Sequence, residues 1–555
     1  MGNWADRILR ELTLEQKVGQ VICYRASRWR DETLALARRG LVGCVSPGYY
    51  RGMGSLEAIL EFINDLNAAS AVPVFCISSS AHARPEFGPT PLPDPGSTML
   101  FGAARDPDLA YRYARCAARE SKAMGYDMVW EPCVDVNTEP RNPIIGSRSI
   151  SDRPELVASI AAAMVRGMQD ERVVPNAKHF PGHGDTAFDT HVRIGEVGHP
   201  RERLDAVELY PYRELIRSAG LRGIMTAHLV VPALEPDRSL PATFSRRAIH
   251  DLLRLEMGFT GLIVSDSLTM KAIKDNFGVA EAAIRAFEAG HDIVLQDYNE
   301  PPEPTLEALV QAVSSGRIPM ADLDASVRRI LEAKEWCGLP GRAPLEPARV
   351  RAAFRQPEAM AVAEEAFAAA VTLLEGAGLP LDCSGGVAVI ATVSPEEGRA
   401  LTDMEQTIES AQGMLAGEVR RRLGPVTLHH LPEDPTPDEV AAAVAAAGAC
   451  RRVILATMPR IVCYKALSGA VGPGQPELVR RLQAAGKDVA LCVFGTPYVI
   501  PDFPRTDICL TTYCASPGAV RAGLRVLFGE QAPRGRLPVD LRPRYAFGFG
   551  LESEA

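Results

Sequence analysis

From the N-terminus to about Gln296, short β-rich apolar runs alternate with longer stretches in which apolar residues recur every three or four positions. The runs are QVICY (20–24), GCVSP (43–47), VPVFCIS (72–78), MVWEPCVDV (128–136), VPNAKHF (174–180), LRGIMTAH (221–228), GLIVSD (261–266) and HDIVLQ (291–296). Intervening segments such as LEAILEFINDLNAA and PELVASIAAAMVRGMQD carry the spacing of a helix with one apolar face. Eight strand–helix units in this order predict a (β/α)8 barrel of the TIM type rather than an open sheet.

A Pro/Gly-rich stretch, CGLPGRAPLEPAR (337–349), then interrupts the pattern and reads as a linker. After a long alanine-rich helix the alternation resumes with GVAVIATV, VTLHHL, RRVILATM, DVALCVFG and DICLTTY. Five strands among helices predict a three-layer α/β sandwich. The expected organisation is a catalytic barrel over 1–337, a linker over 338–350 and a sandwich domain over 351–555. A chain of 555 residues is too long for one ordinary core, which agrees with two domains.

Composition narrows the function classes. Charged residues are 23% and the hydrophobic class 46%, as in globular proteins. A formal net charge of −9 and the lack of any Lys/Arg-rich run argue against nucleic-acid binding. The N-terminus MGNWADRILRELTLEQ has no apolar core of a secretion signal. The longest apolar run, near Val440–Cys450, is too short and alanine-rich to span a bilayer. Twelve cysteines occur without CxxC spacing, and Cys76, Cys133, Cys492 and Cys509 sit inside apolar runs, as buried thiols do. The expected location is the cytoplasm, with no membrane or nucleic-acid partner.

KHFPGHGDTAFDTH (178–191) carries the densest chemistry, with three histidines, two aspartates and a lysine in fourteen residues. In barrels of this type, catalytic groups sit at the C-terminal ends of strands and on the loops that follow. Lys178 and His179 end the fifth run, and Asp185, Asp189 and His191 lie in the loop after it. Asp266 ends the seventh run, His228 the sixth, and Asp135 and Arg148 belong to the region after the fourth. Polar residues from several strands thus converge on one rim. Two chemistries fit the cluster. His179 and His183 with aspartates can bind Zn²⁺ from a loop, although FPG between them breaks the helix their spacing suggests. Alternatively, Asp189 can hydrogen-bond His191, fix its tautomer and favour the imidazolium, a general acid usable near neutral pH.

The cluster resembles the signature loop of bacterial β-N-acetylglucosaminidases of glycoside hydrolase family 3. GLIVSDSLTMKAI is similar to that family's nucleophile segment, and DVNTEPRNPIIGSRSISDRPELV (135–157) to its sugar-binding stretch. TLEQKVGQ, MTAHLVVPAL, LLRLEMGFTG, GTPY, TTYCASPGAV and GRLPVDL extend the resemblance over nearly the whole chain. The resemblance implies a retaining double displacement, with Asp266 as nucleophile and His191, oriented by Asp189, as acid/base. It implies that Lys178, His179 and Arg148 bind sugar hydroxyls, with Asp135 nearby. No metal or other cofactor is implied, and the partner is a small carbohydrate; the oligomeric state is not legible.

One stretch departs from the family. Its D-x-E-G-G-R becomes SSSAHAR (78–84), which puts Ser79 where an aspartate normally grips ring hydroxyls. Ser79 cannot make a charge-assisted contact, and His82 close by makes the pocket friendlier to an anionic, substituted or epimeric sugar. Three functions fit: an amino-sugar glycosidase, a β-glycoside phosphorylase with phosphate as acceptor, and a silent sugar-binding protein.

Overall fold

The computed structural model describes residues 4–26, 30–46, 55–78, 97–190, 193–296, 300–393, 403–424, 426, 428–462 and 467–552. It divides into two compact units, neither contiguous in sequence. One comprises Met1–Leu92, Tyr111–Asp135 and Ala161–Ala359; the other comprises Pro93–Ala110, Val136–Ile160 and Met360–Ala555. Two segments, 93–110 and 136–160, therefore cluster with the second unit although they precede the stretch read as a linker. Within that stretch, Arg342 donates to Asp127 and Leu345 N–H to Asn64, and Pro347–Ala353 is a helix.

In the first unit all eight runs form strands: β1 (Ile22–Arg25), β2 (Cys44–Ser46), β3 (Phe75–Ser78), β4 (Met128–Val129), β5 (Val174–Phe180), β6 (Gly223–Thr226), β7 (Leu262–Val264) and β8 (Val294–Gln296). They pair in parallel in the order β8-β1-β2-β3-β4-β5-β6-β7. The bridge between Val264 and Ile293 joins β7 to the start of β8, so the sheet closes into a barrel. Closure leaves no strand edge exposed and buries both faces, which is why the strands read as continuous apolar runs. The fourth run was expected over 128–136, but its ladder stops at Val129 and returns only as a bridge between Cys133 and Lys178. Pro132 lacks the N–H that a continued ladder needs.

Two fully buried carboxylates brace the N-terminal ends of the strands. Asp127 accepts from Lys122 (3.0 Å) and Arg342 (3.2 Å); Asp292 accepts from Arg254 and Arg329 (both 2.7 Å) and from Ile263 N–H (2.9 Å). Removing one side of such a pair costs about 3–5 kcal/mol, because a buried charge is stranded. At the opposite end, β5 is the longest barrel strand, and its ladder to β6 is irregular between Ala177 and Phe180. Irregularities of this kind re-aim side chains at the rims of barrels. The Phe180 ring packs edge-on against Tyr212, with centroids 5.3 Å apart, and fixes this end of the strand.

The second unit holds a six-stranded sheet: β9 (Thr372–Gly376), β10 (Val387–Val393), β11 (Leu428–Pro432), β12 (Arg452–Thr457), β13 (Asp488–Val493) and β14 (Ile508–Thr511). The order is β9-β14-β13-β12-β10-β11, parallel except for β9, which runs antiparallel to β14. The five predicted strands are present. The sixth, β9, follows the helix Pro357–Ala370 after a single residue, so no turn signal separates it from the alanine-rich run. Helices Asp403–Leu423 and Pro517–Leu527 pack together, as do Pro437–Ala447 and Gly474–Ala484, giving the three-layer sandwich. Among the described residues no disulfide forms, and no helix is long and apolar enough to cross a membrane.

Candidate active site

The C-terminal end of β5 is organised around one carboxylate. Asp135 is fully buried, and its Oδ1 accepts the backbone N–H of His183 (2.7 Å) and of His179 (3.1 Å). Its Oδ2 accepts from His179 Nδ1 (2.7 Å) and from the Cys133 thiol (3.2 Å). Burial alone would raise this carboxyl, but the His179 imidazole beside it and the bonds it accepts hold it well below the usual carboxylate range. An ionised Asp135 makes His179 Nδ1 the protonated nitrogen and sets the ring's orientation. The residue read as a neighbour of the sugar is thus the brace for His179.

The loop beyond is pinned by a second histidine. His183 is buried, with Nε2 2.7 Å from Thr190 Oγ1 and Nδ1 3.1 Å from Thr186 Oγ1. Through Thr190 this ring ties the segment carrying Asp189 to the end of β5. Gly182 turns the loop at φ +138°, and a Cβ there would stand 2.7 Å from Glu208 Cβ, so only glycine fits. Asp185 is paired with His199. No sequence signal marks Thr186 or Thr190; only the density of the cluster hinted at them.

Asp266 follows β7 and is half-buried. Its N–H donates to Thr226 O on β6 (3.2 Å), and its Oδ1 accepts the N–H of Ser267 (2.7 Å). His228, at the end of the sixth run, is buried with Nε2 3.0 Å from Ser267 O and Nδ1 2.9 Å from Thr243 Oγ1. The Thr243 hydroxyl donates its only proton to Ala227 O (2.8 Å). The Ser267 carbonyl can only accept, so His228 Nε2 carries a proton and the ring is held between Ser267 O and Thr243. His291 receives the Thr226 hydroxyl (2.9 Å) and donates through Nδ1 to Ala286 O (2.7 Å), which suits a neutral ring.

Arg148 belongs to the second unit. Its turn is built by Asn137, whose Oδ1 accepts Gly146 N–H (3.1 Å), and by Asn142, whose Oδ1 accepts from Ile144 (3.1 Å) and Ile145 (2.9 Å). Arg148 Nη1 donates to Ile144 O (2.7 Å), leaving the guanidinium half-buried. Lys178 and Asp189 are also half-buried. Three predicted site residues, His191, Ser79 and His82, lie outside the described residues.

Cys133, Asp135 and His179 bring three ligand atoms within 4.8 Å of one another. The 2.7 Å between His179 Nδ1 and Asp135 Oδ2 is a hydrogen bond. Two ligands held at about 2.0–2.1 Å from a tetrahedral Zn²⁺ stand roughly 3.3 Å apart, so the trio fits a proton-sharing network better than a zinc site.

Comparison with known proteins adds kinship to this geometry. Residues 13–333 match the model of the glycosyl hydrolase family 3 N terminal domain. A beta-hexosaminidase, LpqI, of Mycobacterium tuberculosis (strain ATCC 25618 / H37Rv) is 38% identical over 227 residues, 40% of this chain and 57% of that protein. A beta-N-acetylglucosaminidase/beta-glucosidase of Cellulomonas fimi is 30% identical over 381 residues, 67% of this chain and 66% of that one. The matches span about half the length of the curated relatives. The solved structure of a glycoside hydrolase family 3 beta-N-acetylglucosaminidase from Paenibacillus sp. str. FPU-7 superposes with a TM-score of 0.84 at 33% identity, covering 96% of this chain and 99% of that one.

Proposed function

The chain belongs to glycosyl hydrolase family 3, and from that premise we propose that it is a retaining β-glycosidase acting on small β-linked, N-acetylglucosaminide-like conjugates. In this reading the Asp266 carboxylate attacks the anomeric carbon as the glycosidic C–O bond breaks. The leaving oxygen takes a proton from His191, which Asp189 orients, and a glycosyl ester forms on Asp266. Water then gives a proton to His191 and attacks the same carbon, releasing sugar and restoring the carboxylate. Most retaining glycosidases use a carboxylic acid as acid/base; a histidine here replaces it. Lys178, His179 and Arg148 bind sugar hydroxyls, and Asp135 fixes His179.

The observation that carries this reading is the placement of Asp266. It is a half-buried carboxylate at the C-terminal end of β7, on the barrel rim that also holds Lys178 and His179, and its Oδ1 accepts the N–H of Ser267. The amino-sugar class is supported by the likeness to the Paenibacillus enzyme. Ser79 in place of an acidic residue points to a sugar modified at the 4- or 6-position rather than the plain N-acetyl sugar. The cytoplasm remains the proposed location.

The test is the stereochemistry of turnover. Proton NMR of a reacting aryl β-glycoside panel is expected to show the β-anomer as first product; the α-anomer first would contradict retention. Run at millimolar phosphate, the same assay is expected to give free reducing sugar. Accumulation of a sugar 1-phosphate would instead assign phosphorolysis.

A further inference from the structure

The second unit carries a buried arginine for which the glycosidase reading has no use. Arg460 lies three residues beyond β12, its side chain only 6% exposed. Among the described residues its Nε and Nη1 have no hydrogen-bond partner. A buried neutral donor left unmade costs about 1–3 kcal/mol and a charged one more, so such groups seldom persist without something to bond. The remaining nitrogen, Nη2, lies 3.7 Å from Glu433 Oε1, an ion pair too long for a hydrogen bond.

Its position in the fold is informative. Glu433 directly follows β11, whereas Arg460 comes from the end of β12. In the sheet these two strands flank β10 on opposite sides. A guanidinium that starts past β12 and reaches the residue after β11 therefore crosses the carboxyl end of β10. From β10 the chain goes to β11 on one side and then crosses to β12 on the other, which is the switch point where open parallel sheets of this order take ligands.

The surroundings are polar. Thr392, at the end of β10, donates to Thr457 Oγ1 (3.4 Å); Thr457 donates to Gln475 Oε1 (2.8 Å); Gln475 donates to Glu433 O (2.7 Å). Those bonds form a chain of buried groups that satisfy one another, and Arg460 stands outside it.

We propose that Arg460 is an oxyanion-binding position at the switch point of the second unit, taking the carboxylate or phosphate group of a small ligand. The guanidinium stays charged and offers donors only, so the group that completes it must accept. Glu433 opposes a second negative charge, so a monoanionic carboxylate binds more tightly here than a phosphate dianion.

Isothermal titration of the full chain at constant ionic strength tests this with two probes, glucuronate and inorganic phosphate, and needs no turnover. Its failure would therefore leave the glycosidase reading standing. The expected result is one saturable site per chain, with glucuronate the tighter probe. Arg460→Gln is expected to weaken binding by at least about tenfold, and Glu433→Gln to narrow the preference for glucuronate over phosphate, with circular dichroism unchanged. If Arg460→Gln does not fold, the wild type and Glu433→Gln decide. Tighter binding of phosphate would keep the site and assign the oxyanion to phosphate. No saturable binding of either probe at tens of millimolar, or affinity untouched by the substitutions, would overturn the proposal.

Discussion

Asp135→Asn keeps the side chain's size and removes the charge that four donors share. The native carboxyl lies well below its ordinary value, so its contribution to stability is complete at pH 7. It fades only as pH falls below about 4, the unfolded value, toward the lower folded value. Urea denaturation of the variant is expected to show a loss of about 3 kcal/mol at pH 7, shrinking as pH drops below 4. A gap that does not change with pH would contradict an ionised Asp135. Because His179 loses its fixed orientation, kcat/KM is expected to fall as well, by roughly ten- to a hundredfold. For the acid/base, His191→Ala is expected to lose about 10²–10⁴ on substrates with poor leaving groups, and much less on activated aryl glycosides. Azide is expected to recover part of the second step, and equal losses on both substrate types would refute the role. At this scale the sequence exposed the polar residues themselves, since strand ends with Lys, His and Asp are visible as letters. It did not expose the use of Asp135 as a brace or of Thr190 as an anchor, because both depend on distant residues meeting.

Among the elements, β6 and β8 are linked through a buried neutral ring. Burial pushes His291 down from 6.5 to about 4, because a charged imidazole there would lose its water. A depressed folded value means that the stability it allows is complete above pH 6.5 and is lost as pH falls toward 4. The difference amounts to up to about 3 kcal/mol. His291→Gln retains an amide donor for Ala286 O and an acceptor for Thr226, yet cannot titrate. Its stability is expected to fall less steeply than that of the wild type between pH 6.5 and 4, and parallel curves would show that His291 plays no part in acid unfolding. The strands were legible because closure buries both faces and leaves uninterrupted apolar letters. β4 was over-read because Pro132 ends a ladder without ending an apolar run. β9 was missed because TLLEG abuts a helix of similar composition.

For the molecule as a whole, the order of elements was readable and the interleaving of units was not. Segments 93–110 and 136–160 join the second unit through contacts hundreds of residues away: Ser151 donates to Pro538 O, and Asn137 Nδ2 donates to Tyr498 OH (2.9 Å). Local periodicity carries no trace of such pairings. Gly146, at φ +44° with a Cβ position 2.3 Å from Ile461 Cδ1, marks one of them in hindsight. The claim on which the account depends is that, of all carboxylates in the chain, Asp266 takes the glycosyl group. The direct measurement is inactivation with a 2-deoxy-2-fluoro-glycoside, followed by digestion and mass spectrometry over the whole sequence. The predicted result is a single sugar adduct per chain on Asp266, with no labelling of Asp266→Asn. An adduct on any other residue, or turnover of that substrate with no adduct and inverted product, would contradict it.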